Sequence, residues 1–122
     1  MKVIIAGSRT ILDYSSVARA VERSKFDINE VVCGMAAGVD TLGERWAISR
    51  GIPIKYMPAD WKRHGKSAGP IRNMQMAEYA DAAVIVWDGK SPGALNMINQ
   101  MKKINKPYFI EVNKDDEFSF FD

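Results

Sequence analysis

Glycine, serine, arginine and aspartate cluster in four short segments of the 122-residue sequence. In the first segment, Gly7, Ser8 and Arg9 follow one another directly. This combination can surround an anion, because glycine lets backbone amides approach closely and an arginine side chain donates paired hydrogen bonds to phosphate or carboxylate. An ordinary turn with a surface arginine is the alternative interpretation of the same residues.

The second segment runs from Gly34 to Asp40 and includes Gly38 and Val39. Small residues flank a turn that leads into a predicted helix, so the first amides of that helix could face an anionic ligand. Asp40 has two interpretations. It either caps the helix or accepts a hydrogen bond from a ribose hydroxyl or a base.

The third segment, Trp61 to Asn73, contains four basic residues and no acid. Trp61 could stack on a base, and such a long loop in a small domain is typically functional. Its candidate ligand-binding residues are Gly69, Arg72 and Asn73. Solvation alone explains the remaining basic residues, which are Lys62, Arg63 and Lys66, and His64 is expected at the surface.

The fourth segment contains Asp88, Gly89, Lys90, Ser91 and Gly93. Its glycines again allow close approach of the backbone, and a predicted helix begins at its end. The four segments together predict one ligand-binding site.

Several familiar sites are absent from the sequence. Asp60 and Val84 stand where a Walker A motif ending at Lys66 or Lys90 would need its first glycine. The sequence also has no G-x-G-x-x-G pattern. A serine hydrolase is disfavoured because His64 is the one histidine that could act as its base. With one cysteine, Cys33, and one histidine, an internal disulfide and a structural zinc site are excluded. We predict no metal and no cofactor.

The four segments follow apolar runs, which predict the strands that position them. Strands are expected at residues 3–6, 31–33, 53–57, 82–87 and 107–112, with helices between them. Residues 58–70 are expected to form a long polar loop, followed by a helix over residues 71–80. Uninterrupted apolar strands that alternate with helices predict an α/β fold, a single Rossmann-like three-layer sandwich with a five-stranded parallel sheet. Ligands bind at the carboxyl ends of such strands, where the polar segments lie.

Composition and charge agree with one soluble, cytoplasmic domain. The chain is 47% hydrophobic and 26% charged, and no apolar run approaches the ~20 residues of a membrane span. The net charge of +2 combines a basic body with an acidic tail rich in phenylalanine. We expect residues 1–112 to form this domain and residues 113–122 to form the tail.

The four segments also resemble, in order, the YspA-type (cpYpsA-related) branch of the SLOG superfamily. The matching stretches are AGSRT at 6–10, CGMAAGVDTLGERWA at 33–47, ADWKRHGKSAGPIRNMQMA at 59–77 and VWDGKSPGALNMI at 86–98. The superfamily includes the Lonely Guy phosphoribohydrolases and the DNA-processing protein A family. The resemblance implies a Rossmann-like fold that binds a nucleotide or nucleotide-derived ligand in a pocket lined by these segments.

The resemblance leaves the enzyme question open. Lonely Guy enzymes carry a catalytic arginine in an R-K-x-x-M segment, which Arg72 matches, and a catalytic glutamate in P-G-G-x-G-T-x-x-E. Here Ala94 stands at the threonine, and Asn96 or Met97 stands near the glutamate. Cleavage of an N-glycosidic bond would need another carboxylate. The candidates are Asp40, Glu44 and Asp88.

Three functions therefore remain. The first is binding of a nucleotide-derived small molecule, as a sensor or sequestering protein. The second is hydrolysis of a nucleotide N-glycosidic bond. The third, single-stranded DNA binding, ranks last because the chain is only modestly basic. Relatives in the superfamily often dimerise, and helices carrying Met74, Met76, Met97 and Met101 could form a homodimer interface or belong to the core.

Overall fold

Five parallel strands form one sheet in the computed structural model, which describes residues 1–113. The strands are β1 (Lys2–Gly7), β2 (Glu30–Cys33), β3 (Ile54–Tyr56), β4 (Ala82–Trp87) and β5 (Tyr108–Val112). The helices are α1 (Tyr14–Ser24), α2 (Val39–Ser49), α3 (Trp61–His64), α4 (Ala68–Tyr79) and α5 (Pro92–Lys103), with a 3₁₀ turn at Gly65–Ser67. The predicted α/β fold and five-stranded parallel sheet are confirmed.

The strand order is β3-β2-β1-β4-β5, and each neighbouring pair is parallel. The chain moves outward from β1 to β3, then returns to β4 on the other side of β1. The order therefore reverses between β1 and β4. Two adjacent crossovers diverge at such a point and leave a crevice beyond the carboxyl ends of the strands.

Both faces of the sheet are covered by helices, which explains why the strand sequences lack polar alternation. Val3 and Ile5 face one apolar cluster, which includes Val17 of α1 and Ala47 of α2. Ile4 faces the other cluster, which is completed by buried side chains of α4 and α5. Met76, Met97 and Met101 belong to this second cluster, whereas Met74 is 43% exposed. Three of the four methionines on these helices therefore belong to the hydrophobic core.

The ends of the helices follow the local sequence. Asp13 caps α1 as predicted, with its carboxylate accepting from the Ser15 amide at 3.1 Å. Pro92 stands at the start of α5, where its missing N–H is not needed. At the carboxyl end of α4, the Lys106 ammonium group donates to the carbonyls of Ala77, Glu78 and Ala80.

The prediction of a polar loop over residues 58–70 is wrong. Asp60 caps α3 by accepting from the Arg63 amide at 3.1 Å, and α4 begins at Ala68 rather than Ile71. No residue of α3 is buried, so the sequence lacks the apolar stripe from which a helix is recognised. Pro70 lies in the first turn of α4, where a helix tolerates proline.

No helix within residues 1–113 is long and apolar enough to cross a membrane. Apart from Asn113, the acidic tail predicted at residues 113–122 lies outside the described residues.

Candidate functional site

A cavity of about 600 Å³ lies at the carboxyl ends of β1 and β4, where the strand order reverses. Its walls come from the end of β1, the starts of α2, α4 and α5, and Trp61 of α3. Part of the predicted site lines it, namely Gly7, Arg9, Asp40, Gly69, Arg72, Asn73, Ser91 and Gly93. The four segments therefore converge on one crevice.

Other predicted residues do not line the cavity. These are Ser8, Gly34, Gly38, Val39, Glu44, Asp88, Gly89 and Lys90. Their contacts show that several of them build the turns around the cavity.

Asp88 organises the turn that joins β4 to α5, which we call the Asp88 turn (residues 88–91). One carboxylate oxygen accepts from the amides of Lys90 at 2.8 Å and Ser91 at 2.7 Å. The other oxygen accepts from the Ser91 hydroxyl at 3.0 Å. Burial opposes ionisation, but these hydrogen bonds outweigh it and hold the pKa of Asp88 at about 2. The carboxylate is thus engaged within its own turn.

Ser8 and Gly38 join neighbouring turns. The Ser8 hydroxyl is buried and accepts from the Asp88 amide at 2.9 Å, and the Ser8 carbonyl accepts from the Val39 amide at 3.2 Å. Gly38 has a φ of +71°, and a Cβ there would lie 2.4 Å from the Ser8 carbonyl oxygen. Glycine is therefore required at position 38 to bring the turns after β1 and β2 together.

Glu44 of α2 is partly buried and lies near Tyr56, at the end of β3. Its carboxylate accepts from the Tyr56 hydroxyl at 2.6 Å, and this hydrogen bond raises the pKa of Tyr56. Because Glu44 does not reach the cavity, its predicted role as a catalytic carboxylate lacks the geometry such a role requires.

Arg72 is the buried cation of the site, with only 9% of its surface exposed. One terminal nitrogen donates to the Gly34 carbonyl, and Nε donates to the Asn73 amide oxygen at 3.1 Å. A Cβ on Gly34 would lie 2.6 Å from Arg72 Nη1 and 2.8 Å from Asp40 Oδ2, so Gly34 admits both side chains. Burial lowers the pKa of Arg72 and the nearby Asp40 opposes this, so the guanidinium stays charged.

Asp40 lies in the first turn of α2, and Gly38, not Asp40, is the N-cap residue. The capping interpretation of Asp40 is therefore wrong. Its carboxylate accepts from the Ala36 amide at 3.2 Å, which ties the preceding turn to the helix. Burial raises the pKa of Asp40, although the Ala36 amide and the charge of Arg72 partly oppose the rise. The cavity thus contains a carboxyl group that resists ionisation beside two guanidinium groups, since Arg9 also lines it.

Comparisons with known proteins identify relatives of this chain. The model of the YspA, cpYpsA-related SLOG family matches residues 1–64, which include β1, β2 and the turns that follow them. Gene 61 protein of Mycobacterium phage D29 is 32% identical over 116 residues, which cover 87% of this chain and 92% of that protein. The chain belongs to the YspA, cpYpsA-related SLOG family.

A solved structure of low sequence identity shares the fold of this chain. It is DNA processing protein A (DprA) from Streptococcus pneumoniae, which matches 97% of this chain with a TM-score of 0.76 and 17% identity. This chain spans 53% of the length of the matched DprA chain. The likeness is therefore one of fold, and it supports the Rossmann-like assignment.

Several residues in this SLOG cavity were not selected from the sequence as ligand-binding residues. They are Ala6, Thr10, Ala36, Pro70, Met76, Pro92, Ala94, Asn96 and Met97. Most are small or apolar side chains, whose types carry no chemical signal. Asn96 is the polar exception on α5, and its spacing of three residues from Gly93 places both on one helix face. This three-residue spacing is the sequence feature from which Asn96 could have been predicted to lie at the site. Trp61, the residue singled out in the sequence for base stacking, also lines the cavity.

Proposed function

We propose that the protein binds a nucleotide or nucleotide-derived small molecule in this cavity, with an anionic group of the ligand against Arg72. The observation that carries the proposal is a nearly buried guanidinium group in the wall of a cavity at the strand-order reversal. Burying a cation costs free energy, and a bound anion would offset much of that cost.

The charges around the cavity favour an anion. Arg9 and Arg72 both line it, and Asp40 is the one carboxylate in its wall among the described residues. Because burial raises the pKa of Asp40, its negative charge is disfavoured. The start of α5 adds the positive end of a helix dipole.

The remaining walls suit the uncharged part of a nucleotide. Met76, Ala94 and Met97 supply apolar surface, and the Trp61 ring lies in the wall while 54% exposed. An aromatic ring in this position can stack on a base. A cavity of about 600 Å³ also falls within the usual range of small-molecule sites.

A small ligand is favoured over a nucleic-acid strand. Lys62, Arg63 and Lys66 are exposed and lie outside the cavity wall, so the basic groups of that segment do not extend the site as a continuous track. DNA binding remains the competing proposal, and it requires an affinity that falls steeply with salt.

Calorimetric titration tests the proposal with nucleoside monophosphates, ADP-ribose, cyclic nucleotides and a single-stranded oligonucleotide at two salt concentrations. We expect one of the small ligands to bind, and Arg72→Gln to weaken it about 100-fold by removing a charged, buried partner. Arg63→Gln removes the same charge from an exposed position and should change affinity less than about threefold. Failure of every small ligand to bind, or equal affinity in Arg72→Gln, rejects the proposal.

A second function, hydrolysis of an N-glycosidic bond, is favoured by one observation. Asp40 is a cavity carboxyl group whose pKa is raised by burial, as a general acid requires. Glu44 and Asp88 lie outside the cavity wall, so Asp40 is the remaining candidate of the three. Chromatographic detection of free base from the bound nucleotide, lost in Asp40→Asn, would support hydrolysis. Binding without base release would leave the protein as a binder.

A further inference from the structure

A chain of side-chain hydrogen bonds crosses from α4 to α5 in the cavity wall. Arg72 Nε donates to Asn73 Oδ1 at 3.1 Å, and Asn73 Nδ2 donates to Asn96 Oδ1 at 3.0 Å. The same Asn73 nitrogen also donates to the Gly93 carbonyl at 3.2 Å. We call Arg72, Asn73 and Asn96 the Arg72 wall.

The chemistry of the groups fixes the orientation of both amides. Arginine can only donate, so Asn73 must turn its oxygen toward Arg72. The Gly93 carbonyl can only accept, so Asn73 must turn its nitrogen toward α5. With both N–H groups of Asn73 directed at α5, Asn96 must meet them with its oxygen. Reversing either amide would set donor against donor or acceptor against acceptor.

This orientation determines what Asn96 presents to the cavity. Its oxygen is occupied by Asn73, which leaves its NH₂ group as the free polar end. No buried side-chain nitrogen or oxygen within residues 1–113 lacks a hydrogen-bond partner. The described hydrogen bonds give Asn96 Nδ2 no partner, so this nitrogen is accessible, and Asn96 lines the cavity.

The first turn of α5 adds donors of the same kind. The N-cap residue, Ser91, makes no side-chain capping bond, because its hydroxyl is directed to Asp88 instead. The first amide of α5 that reaches back to the N-cap carbonyl belongs to Leu95. The amides of Gly93 and Ala94 precede it, and both residues line the cavity.

We propose that Asn96 is a specificity-determining residue whose amide nitrogen donates to an oxygen of the ligand's anionic group, and that Asn73 is the positioning residue that orients it. The inference rests on the proposed function of the cavity. It adds a chemical class, because the Arg72 wall and the start of α5 offer hydrogen-bond donors and no free acceptor. Such a surface selects a group with several acceptor oxygens and no donor, as in the phosphate of a nucleoside monophosphate, over a carboxamide or a sugar hydroxyl.

The test compares adenosine 5′-monophosphate with adenosine in titrations of the full chain at pH 7.5. Asn96→Asp keeps the side-chain shape but replaces the NH₂ group with a charged acceptor. We expect affinity for the monophosphate to fall about 100-fold, and affinity for adenosine to change less than about threefold. Asn96→Ala removes the donor without adding charge and should weaken the monophosphate about 5- to 10-fold.

Asn99→Asp is the matched control, because Asn99 is exposed on the same helix and undergoes the same charge change. It should leave both affinities unchanged. Equal monophosphate affinity in the original chain and in Asn96→Asp overturns the inference but leaves the proposed function standing. An equal loss for both ligands also overturns it, since Asn96 would then act on cavity shape. If the original chain binds no nucleotide, the proposed function falls and this inference falls with it.

Discussion

The Asp88 turn and the Arg72 wall contain similar polar residues, yet they use their hydrogen bonds differently. The Asp88 carboxylate accepts from two amides and a hydroxyl of its own turn. Arg72, Asn73 and Asn96 are joined by hydrogen bonds to one another, and all three residues line the cavity. The polar groups of the Asp88 turn bond to one another. In the Arg72 wall, by contrast, the amide nitrogen of Asn96 is the donor that we propose for a ligand.

We propose that this difference separates residues that position the site from residues that recognise a ligand. Ser91 links the two regions, because its bond to Asp88 leaves the start of α5 without a side-chain cap. The Asp88 turn therefore leaves the amides of Gly93 and Ala94, at the start of α5, without a side-chain cap beside the cavity. Substitutions in the turn should affect stability first, and substitutions in the wall should affect ligand binding first.

The largest effect is expected for Arg72→Lys, a substitution in the Arg72 wall. Lysine keeps the charge but cannot donate to Gly34, to Asn73 and to a ligand from one rigid fork. We expect nucleotide affinity to fall about 10- to 30-fold, or about 1.4–2 kcal/mol, in calorimetric titration. Arg63→Lys, the exposed counterpart, should bind as the original chain does. Full affinity in Arg72→Lys would show that only charge matters at this position.

A smaller effect, on stability, is expected for Asp88→Asn. Because the folded-state pKa of Asp88 is lowered to about 2, its contribution is present above pH 4 and is lost as pH falls from about 4 toward 2. Allowing for solvent screening, we expect a loss of about 1 kcal/mol in the free energy of unfolding at pH 7, measured with urea. Between pH 4 and 2, the variant should also lose less stability than the original chain.

Asp27→Asn is the control for this prediction, because Asp27 is exposed. It should change the free energy of unfolding by less than about 0.5 kcal/mol. A large loss of ligand affinity in Asp88→Asn, with stability unchanged, would contradict the assignment of a structural role to the Asp88 turn.

The smallest effect is expected for Asp40→Asn. The folded-state pKa of Asp40 is raised by burial, so the stability linked to this group is greatest at low pH and declines as pH rises through the folded-state pKa. Replacing the carboxyl group removes that decline. We expect the variant to match the original chain near pH 4 and to be more stable at pH 8, by less than about 1 kcal/mol, in thermal unfolding. Lower stability at pH 8 would mean that the ionised carboxylate supports Arg72.

The fold was largely predictable because its signals are local. Residues 82–87 form an uninterrupted apolar run whose short length favours a strand buried on both faces, and Asp13 marks a helix start through its own side chain. The start of α4 was missed because Gly-Pro in the sequence indicates a turn, whereas proline is also accepted in the first turn of a helix.

The candidate site was predictable only in outline. Asp88 and Arg72 stand out equally in the sequence, since a charged residue beside glycine or asparagine suggests a ligand in either case. They differ in where their hydrogen-bond partners lie along the chain. The Asp88 carboxylate accepts from Lys90 and Ser91 of its own turn, whereas Arg72 donates to the Gly34 carbonyl 38 residues away.

Local sequence was enough to predict the parallel α/β sheet and the edge at which polar residues gather, because hydrophobic periodicity and helix-capping residues act over a few positions. Which of those residues line the cavity, and that Asn96 joins them, could be read from the folded structure alone. The reason is physical: an amide or carboxylate is oriented by the groups that surround it, and the fold brings those groups together from α4, α5 and the turns after β1, β2 and β4.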